Sequence, residues 1–450
     1  MPPMHLFLFP LNTGTHIGGW RHPDAHRGLH DLDFYSELAL RAEAAKFDAI
    51  FFADSAGFYP IRGREAFASA DLAKVEPITL QSAIAARTSR IGLVATCSTT
   101  YGTPFTLARQ FASLDHLSKG RAAWNIVTSA SEPEARNFGI DHEIDHEERY
   151  ARAEEFVEVA RGLWDSFEDD AFVIDKSEAR YIDPDKLHAI GHDGQRFKVA
   201  GPLNMARPPQ GHPVLVQAGG SPTGMAFAAA YADCIFTSHP GIESAQRFYR
   251  EMKALVAAAG RDPNSVKILP SIHPVIAETR DAALAKLEAL NDLIPERQAM
   301  SLLETNLGGF DLSGYDLDGP LPEIPETQGI QATRARLVDW AARDGLTIRQ
   351  LARRHAAQRT GNIVADSPEG VADVMERWQA EGACDGFMIV APYLPGGFLT
   401  FADTVVPILQ KRGLFRTDYV GTTLRDHLGI ARPENGFVVD PARHHDPRVW

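Results

Sequence analysis

Cysteine is scarce in this chain: three residues in 450, Cys97, Cys234 and Cys384, with no C-x-x-C spacing. That argues against a disulfide framework or a thiolate metal site and fits a reducing compartment. Each cysteine lies in or beside an apolar run and reads as a small buried hydrophobe. Basic charge is also short. Lys and Arg number 45 against 59 Asp and Glu, for a net charge of −14, which argues against a nucleic-acid surface and gives no reason to expect attraction to anionic membranes. No run approaches the roughly 20 apolar residues of a membrane span. The apolar stretch His5–Pro10 is too short for a signal peptide and has no basic region before it. A soluble cytoplasmic protein is expected. There is no internal repeat, no low-complexity tract, and no G-x-G-x-x-G after an early strand to cradle a dinucleotide.

What is present is an alternation. Short runs rich in β-branched and aromatic residues predict strands at His5–Pro10, Phe47–Ala53, Arg90–Ser98, Ala122–Ser129, Pro213–Ala218, Cys234–Ser238, Lys267–Ala277 and Gly386–Pro392. Amphipathic helical runs separate most of them: Asp31–Lys46, Pro77–Thr88, Pro104–Leu117, Asp145–Phe167, Pro222–Tyr231, Ile242–Ala259 and Pro368–Glu381. Eight β-α alternations with continuously apolar strands favour a closed parallel (β/α)8 TIM barrel over a doubly wound sheet. Two segments, about 168–212 and 290–366, exceed ordinary barrel connections and read as insertions within a single domain spanning 1–450.

Polar residues gather where strands end, which is where such barrels do chemistry. Asp54 follows FFA; it either caps a turn or takes hydrogen bonds from a ligand. Thr96 opens a hydroxyl-rich tip, TCSTTYGT, in which Thr103 and Pro104 already read as a helix start. Asn125 interrupts the strand AAWNIVT, where an unpaired amide is costly; it bonds a neighbouring tip or faces a polar ligand. Asp145 and Glu148 have capping-box spacing, which puts His146 and Tyr150 on one helix face. His142–His146 spells H-E-x-x-H, but an acidic, non-helical lead-in and the lack of a third ligand argue against zinc, so no metal is expected. In VLVQAGGSPTG the strand turns through Gly219 and Gly220 to Ser221 as N-cap and Pro222 at the first helical position, a ready anion site that favours a phosphate. The loop NTGTHIGGWRHP offers His16, Trp20 and Arg21 to a substrate, or packs Trp20 against the barrel.

Taken in order, GGWRHP, KFDAIFFAD, STTYGTPF, LARQFASLDHLSKGRAAWNIVTS, NFGI, HEERY, VLVQAGGS and VVPILQKRGLFRTDY resemble the flavin-dependent monooxygenases of the bacterial luciferase superfamily. The nearer likeness is to the branch of nitrilotriacetate, dibenzothiophene-sulfone and long-chain alkane monooxygenases. The resemblance implies a luciferase-like barrel and reduced FMN delivered by a separate NAD(P)H:flavin reductase. It implies that the flavin reacts with O2 to a C4a-hydroperoxyflavin that oxidises a small organic substrate. Carried over by position, the flavin contacts would be Asp54, Thr96, His146, Tyr150 and Ser221, with Asn125 and Gly220 as weaker additions. Tyr59 would lie on the substrate side, and His16 would assist oxygen transfer. A dimer or tetramer is expected by the same analogy. One departure stands out: Ala130 occupies a place where alkane-oxidising relatives carry histidine, which argues against alkane hydroxylation. The alternatives are a deazaflavin-dependent oxidoreductase on the same barrel and a non-catalytic flavin-binding protein.

Overall fold

The computed structural model describes residues 2–27, 30–58, 61, 63–324, 331–357, 361–440 and 442. Every predicted strand forms, with slightly shorter ends: β1 His5–Leu8, β2 Ala49–Phe52, β3 Gly92–Ser98, β4 Ala122–Val127, β5 Val214–Gln217, β6 Cys234–Thr237, β7 Lys267–Ile276 and β8 Gly386–Ile389. Each pairs in parallel with its neighbours, and β8 pairs with β1, so the sheet closes into a (β/α)8 barrel. The alternation of side chains along each strand sorts them into two sets. Phe7, Phe51, Val94, Ala123, Val216, Cys234, Leu269 and Met388 fill the barrel. Leu6, Leu8, Ile50 and Leu93 face the helices on one side, and Trp124, Ile126 and Leu215 on another. Cys234 and Cys384 are buried and Cys97 is half-buried, all as free thiols. No described helix is long and apolar enough to cross a membrane.

The base of the barrel is held by charge. Three aspartates stand immediately before strands, and each accepts an N–H from the preceding strand. Asp48 takes Leu6 N–H at 2.8 Å, Asp233 takes Leu215 N–H at 3.0 Å, and Asp385 takes Ile268 N–H at 2.8 Å. Each also meets a cation: Arg416 and His5 at Asp48, Arg425 at Asp233, Lys253 at Asp385. Burial pushes the Asp48 carboxyl up, but Arg416, His5 and the Leu6 N–H together hold it below the usual carboxylate range. Arg416 and Arg425 come from the segment after β8, so the quoted LFRTDY stretch serves the base and not the mouth.

The two long segments differ. Residues 168–212 are mostly irregular, with one short antiparallel pair, His192–Asp193 with Lys198–Val199. Residues 290–366 are more ordered than a loop reading implies. They hold the helices Glu296–Asn306, Gln331–Asp344 and Ile348–Ala357, with an apolar cluster of Leu303, Leu307, Leu312, Leu337, Ile348 and Leu351. Ile17, from the loop after β1, joins that cluster. The segment ends in a ninth strand, Ile363–Asp366, that pairs in parallel with the far half of β7.

Candidate functional site

The nominated residues fall into three neighbouring groups at the C-terminal ends of the strands. The first is a pair inside the barrel. Thr96 and Asn125 lie side by side in the β3–β4 register and follow Val94 and Ala123 on the inward face. Thr96 Oγ1 donates to the Phe52 carbonyl at 2.9 Å and accepts from Asn125 Nδ2 at 2.9 Å. Both side chains are buried, and Asn125 Oδ1 has no partner among the described residues. Both options for Asn125 therefore apply: its nitrogen bonds the neighbouring tip, and its oxygen is left for a donor that the protein does not supply.

The second group surrounds the tip of β5. Ser221 caps the helix Pro222–Tyr231, its Oγ accepting Gly224 N–H at 3.1 Å. The helix His146–Trp164 brings Tyr150 to the same place: a methyl group built on Gly224 would stand 2.7 Å from the Tyr150 hydroxyl and 3.1 Å from Ser221 Oγ. His146, exposed at the helix start, stacks obliquely on Tyr150 with ring centres 4.9 Å apart. The paired glycines divide the work. A Cβ on Gly219 would press on Gly224 carbonyl at 2.7 Å, whereas one on Gly220 would meet nothing within 4 Å. Gly219 is required by packing, and the space over Gly220 is open beside free helix N–H groups.

Two local expectations change here. Asp145 caps the His146–Trp164 helix through the N–H groups of Glu147 and Glu148, but no capping box forms. The Glu148 carboxylate turns instead to Arg196, at 2.8 and 2.7 Å. The helix starts at His146, so His142 lies before it and the two histidines of H-E-x-x-H do not share a helical turn.

The third group borders a cavity of about 2260 Å³ that runs from the barrel mouth under the 290–366 segment. Ligand pockets commonly hold roughly 300–1,000 Å³, so this one has room for a cofactor and a substrate together. Its wall includes Asp54 and His16 but not Thr96, Asn125, His146, Tyr150, Gly220 or Ser221. Tyr59 lies outside the described residues. Burial raises the Asp54 carboxyl above the usual range; the Ser55 N–H and Lys74 offset only part of it. His16 is buried, and its Nδ1 accepts Gly18 N–H at 3.1 Å, which leaves the proton on Nε2, facing Asn291 Oδ1 at 3.2 Å. Burial lowers its pKa, against a smaller opposing effect of Asn291, so the ring is neutral at pH 7. Trp20 is not packed on the barrel: it is 42% exposed and borders the cavity. The glycines seat that loop, since a Cβ on Gly19 would lie 2.3 Å from the Pro392 carbonyl oxygen.

Sequence reasoning missed the opposite wall. Ser271 and His273 on β7 border the cavity, as do Arg280, Arg336, Arg353 and Arg354 above. A lone histidine and a serine two apart on an apolar strand's inward face were the available signal. Arg353 pairs with Asp292, and Arg354 with Asp344 at 2.5 Å. Arg336 and Arg354 flank Trp340, at 5.1 and 4.7 Å from its ring.

Comparison with known proteins gives a consistent answer. Residues 8–383 match the family described as luciferase-like monooxygenase. The chain is 48% identical over 436 residues to N-acetyl-S-(2-succino)cysteine monooxygenase of Bacillus subtilis (strain 168), covering 96% of this chain and 98% of that one. It is 46% identical over 442 residues to nitrilotriacetate monooxygenase component A of Aminobacter aminovorans, covering 96% and 97%. Among solved structures, a riboflavin lyase crystallised with modified FMN and riboflavin superposes with a TM-score of 0.83 at 33% identity, covering 96% and 97%.

Proposed function

The chain belongs to the luciferase-like monooxygenase family and is a flavin-dependent monooxygenase; we propose that it is the oxygenating component of a two-component system that uses reduced FMN from a separate NAD(P)H:flavin reductase. Bound reduced FMN supplies the two electrons with which one atom of O2 enters the organic substrate while the other leaves as water. The observation that carries the reading is the end-to-end similarity to monooxygenases, one of them named as a component A.

The residues present fit that cofactor. Ser221 and the Tyr150 hydroxyl meet at Gly224 in the first turn of the helix, and the space over Gly220 beside them is open, a setting that suits a phosphate monoester. His146 borders it. Asn125 Oδ1 is a buried acceptor with no donor among the described residues, suited to a ring N–H or a ribityl hydroxyl, and Thr96 fixes its orientation. Asp54, on the cavity wall, would be available to a polar group of the ring. His16, held by Gly18 N–H and Asn291 Oδ1, borders the cavity and would assist oxygen transfer by turning its Nε2–H from Asn291 to the substrate. The 290–366 segment overhangs the cavity and excludes water, so that reducing equivalents reach substrate instead of being lost as peroxide.

Anaerobic titration with reduced FMN, followed by turnover under 18O2 with a flavin reductase and NADH, tests the reading. Tight binding of reduced FMN and a single 18O atom in the product are expected. Absence of reduced-FMN binding removes the reading, and turnover with a reduced deazaflavin in the absence of O2 replaces it with hydride transfer.

A further inference from the structure

Two buried polar side chains at the mouth have no part in holding the flavin as described above. Ser271 and His273 sit two residues apart on β7 and follow Leu269 on the inward face. Ser271 is 2% exposed and His273 6%. Ser271 Oγ and His273 Nδ1 have no hydrogen-bond partner among the described residues, although both side chains border the cavity. A folded chain tolerates such groups where a ligand completes them. In a ring of eight strands β7 stands opposite β3, so the pair faces Thr96 across the barrel. Phe9, Phe236 and Val390, from the neighbouring strand tips, line the cavity with apolar surface, and Ser238 lies just beyond the tip of β6. Burial alone pushes His273 down to about 4, so this floor is uncharged at neutral pH. The roof is the reverse. Four arginines line it, and Arg280 and Arg336 have no carboxylate partner among the described residues.

We propose that the Ser271–His273 floor and the arginine roof form the binding site of one substrate class: an organic anion with carboxylates at its outer end and an uncharged hydrogen-bonding group beside the position to be oxidised. The inference rests on the monooxygenase reading and specifies its substrate. The floor orients the reacting end by neutral hydrogen bonds, with no charge to oppose the apolar surroundings. The roof takes carboxylates through guanidinium forks, chiefly Arg336, steadied on Trp340. The net acidity of the chain does not oppose this: the cavity lining carries Asp54, Asp71 and Glu288 against Lys74 and four arginines, of which Arg280 and Arg336 have no carboxylate partner among the described residues.

The test uses full-length protein, a flavin reductase, NADH and N-acetyl-S-(2-succino)cysteine as probe, a thioether amide with three carboxylates. S271A, H273F, H273N and R336Q are compared with wild type for reduced-FMN affinity, KM, and product formed per O2 consumed. S271A and H273F are expected to raise KM about tenfold, the scale of one lost hydrogen bond, and to lower product per O2, with reduced-FMN affinity unchanged. H273N, which keeps a polar atom near the Nδ1 position, restores most of the coupling. R336Q raises KM without uncoupling, and the methyl-esterified probe raises KM in wild type to the same degree. The proposal is overturned if wild type binds reduced FMN and takes up O2 but leaves the probe unchanged, or if S271A and H273F match wild type. Loss of reduced-FMN affinity in H273F or S271A would assign the pair to the flavin and end it as well. Failure of wild type to bind reduced FMN would instead remove the monooxygenase reading beneath it.

Discussion

The two ends of the barrel use similar residues in opposite ways. At the base, Asp48, Asp233 and Asp385 each satisfy a strand N–H and a cation. At the mouth, Asn125 Oδ1, Ser271 Oγ and His273 Nδ1 are buried, more deeply than the half-buried Asp233 and Asp385, and have no partner among the described residues. A buried polar group with all its partners reads as architecture. One left short of a partner reads as a socket for something that arrives later. Exceptions keep the rule from being one of position alone: among the described residues Gln81 Oε1 and Gln379 Oε1 lack partners away from the cavity, and so do both ring nitrogens of His427, in the segment after β8 near Arg416.

The contrast can be broken in four ways. The largest effect belongs to the base. Arg416→Ala removes the guanidinium from the fully buried Asp48, leaving it His5 and the Leu6 N–H, and should cost about 3–5 kcal/mol of stability, read as a lower urea midpoint; an unchanged midpoint would mean that the base is not what holds the barrel. Next comes acid. His273 and His427 are each held down to about 4 by burial, His427 with a further push from Arg416. The unfolded chain therefore binds more protons between pH 6.5 and about 4. Stability is full above that window and falls through it, by about 1.4 kcal/mol per pH unit for each histidine. His273→Gln and His427→Gln should each remove one proton's slope in urea unfolding at stepped pH, but only the former should alter turnover. If both or neither changes turnover, mouth and base are not functionally distinct. Third, Ser221→Ala should weaken reduced FMN by about 1–2 kcal/mol, and unchanged affinity would move the phosphate elsewhere. The smallest effect is the sharpest: Asn125→Leu removes an unsatisfied acceptor, so stability should stay within about 1 kcal/mol while reduced-FMN affinity falls. A large loss of stability would make Asn125 architectural.

Every barrel strand was legible, because an apolar run between turn residues states its own length. The caps at Asp145 and Ser221 were legible for the same local reason. The base was not. Asp48 and Arg416 lie 368 positions apart, and nothing in either neighbourhood announces the other. Glu148 shows how a tertiary partner overrides a local pattern: its spacing suits a capping box, and Arg196 captures it. In the 290–366 segment the acidic, proline-rich middle obscured its helices, although Ile348, Leu351, Ala352 and His355 do recur at helical spacing and are buried. At the site, Thr96, Asn125, Tyr150 and Ser221 stood out as polar residues at strand and helix ends. His273 escaped because a histidine in a strand is unremarkable until the strand's inward face is known to end in a cavity.

The overhanging helices have an apolar nucleus of their own, into which the rest of the molecule, among the described residues, inserts only Ile17. Their cavity-facing residues can therefore drift in sequence without disturbing the register of the sheet below. A lineage built this way can retune what it oxidises by rewriting one module, while the part that handles oxygen is inherited unchanged.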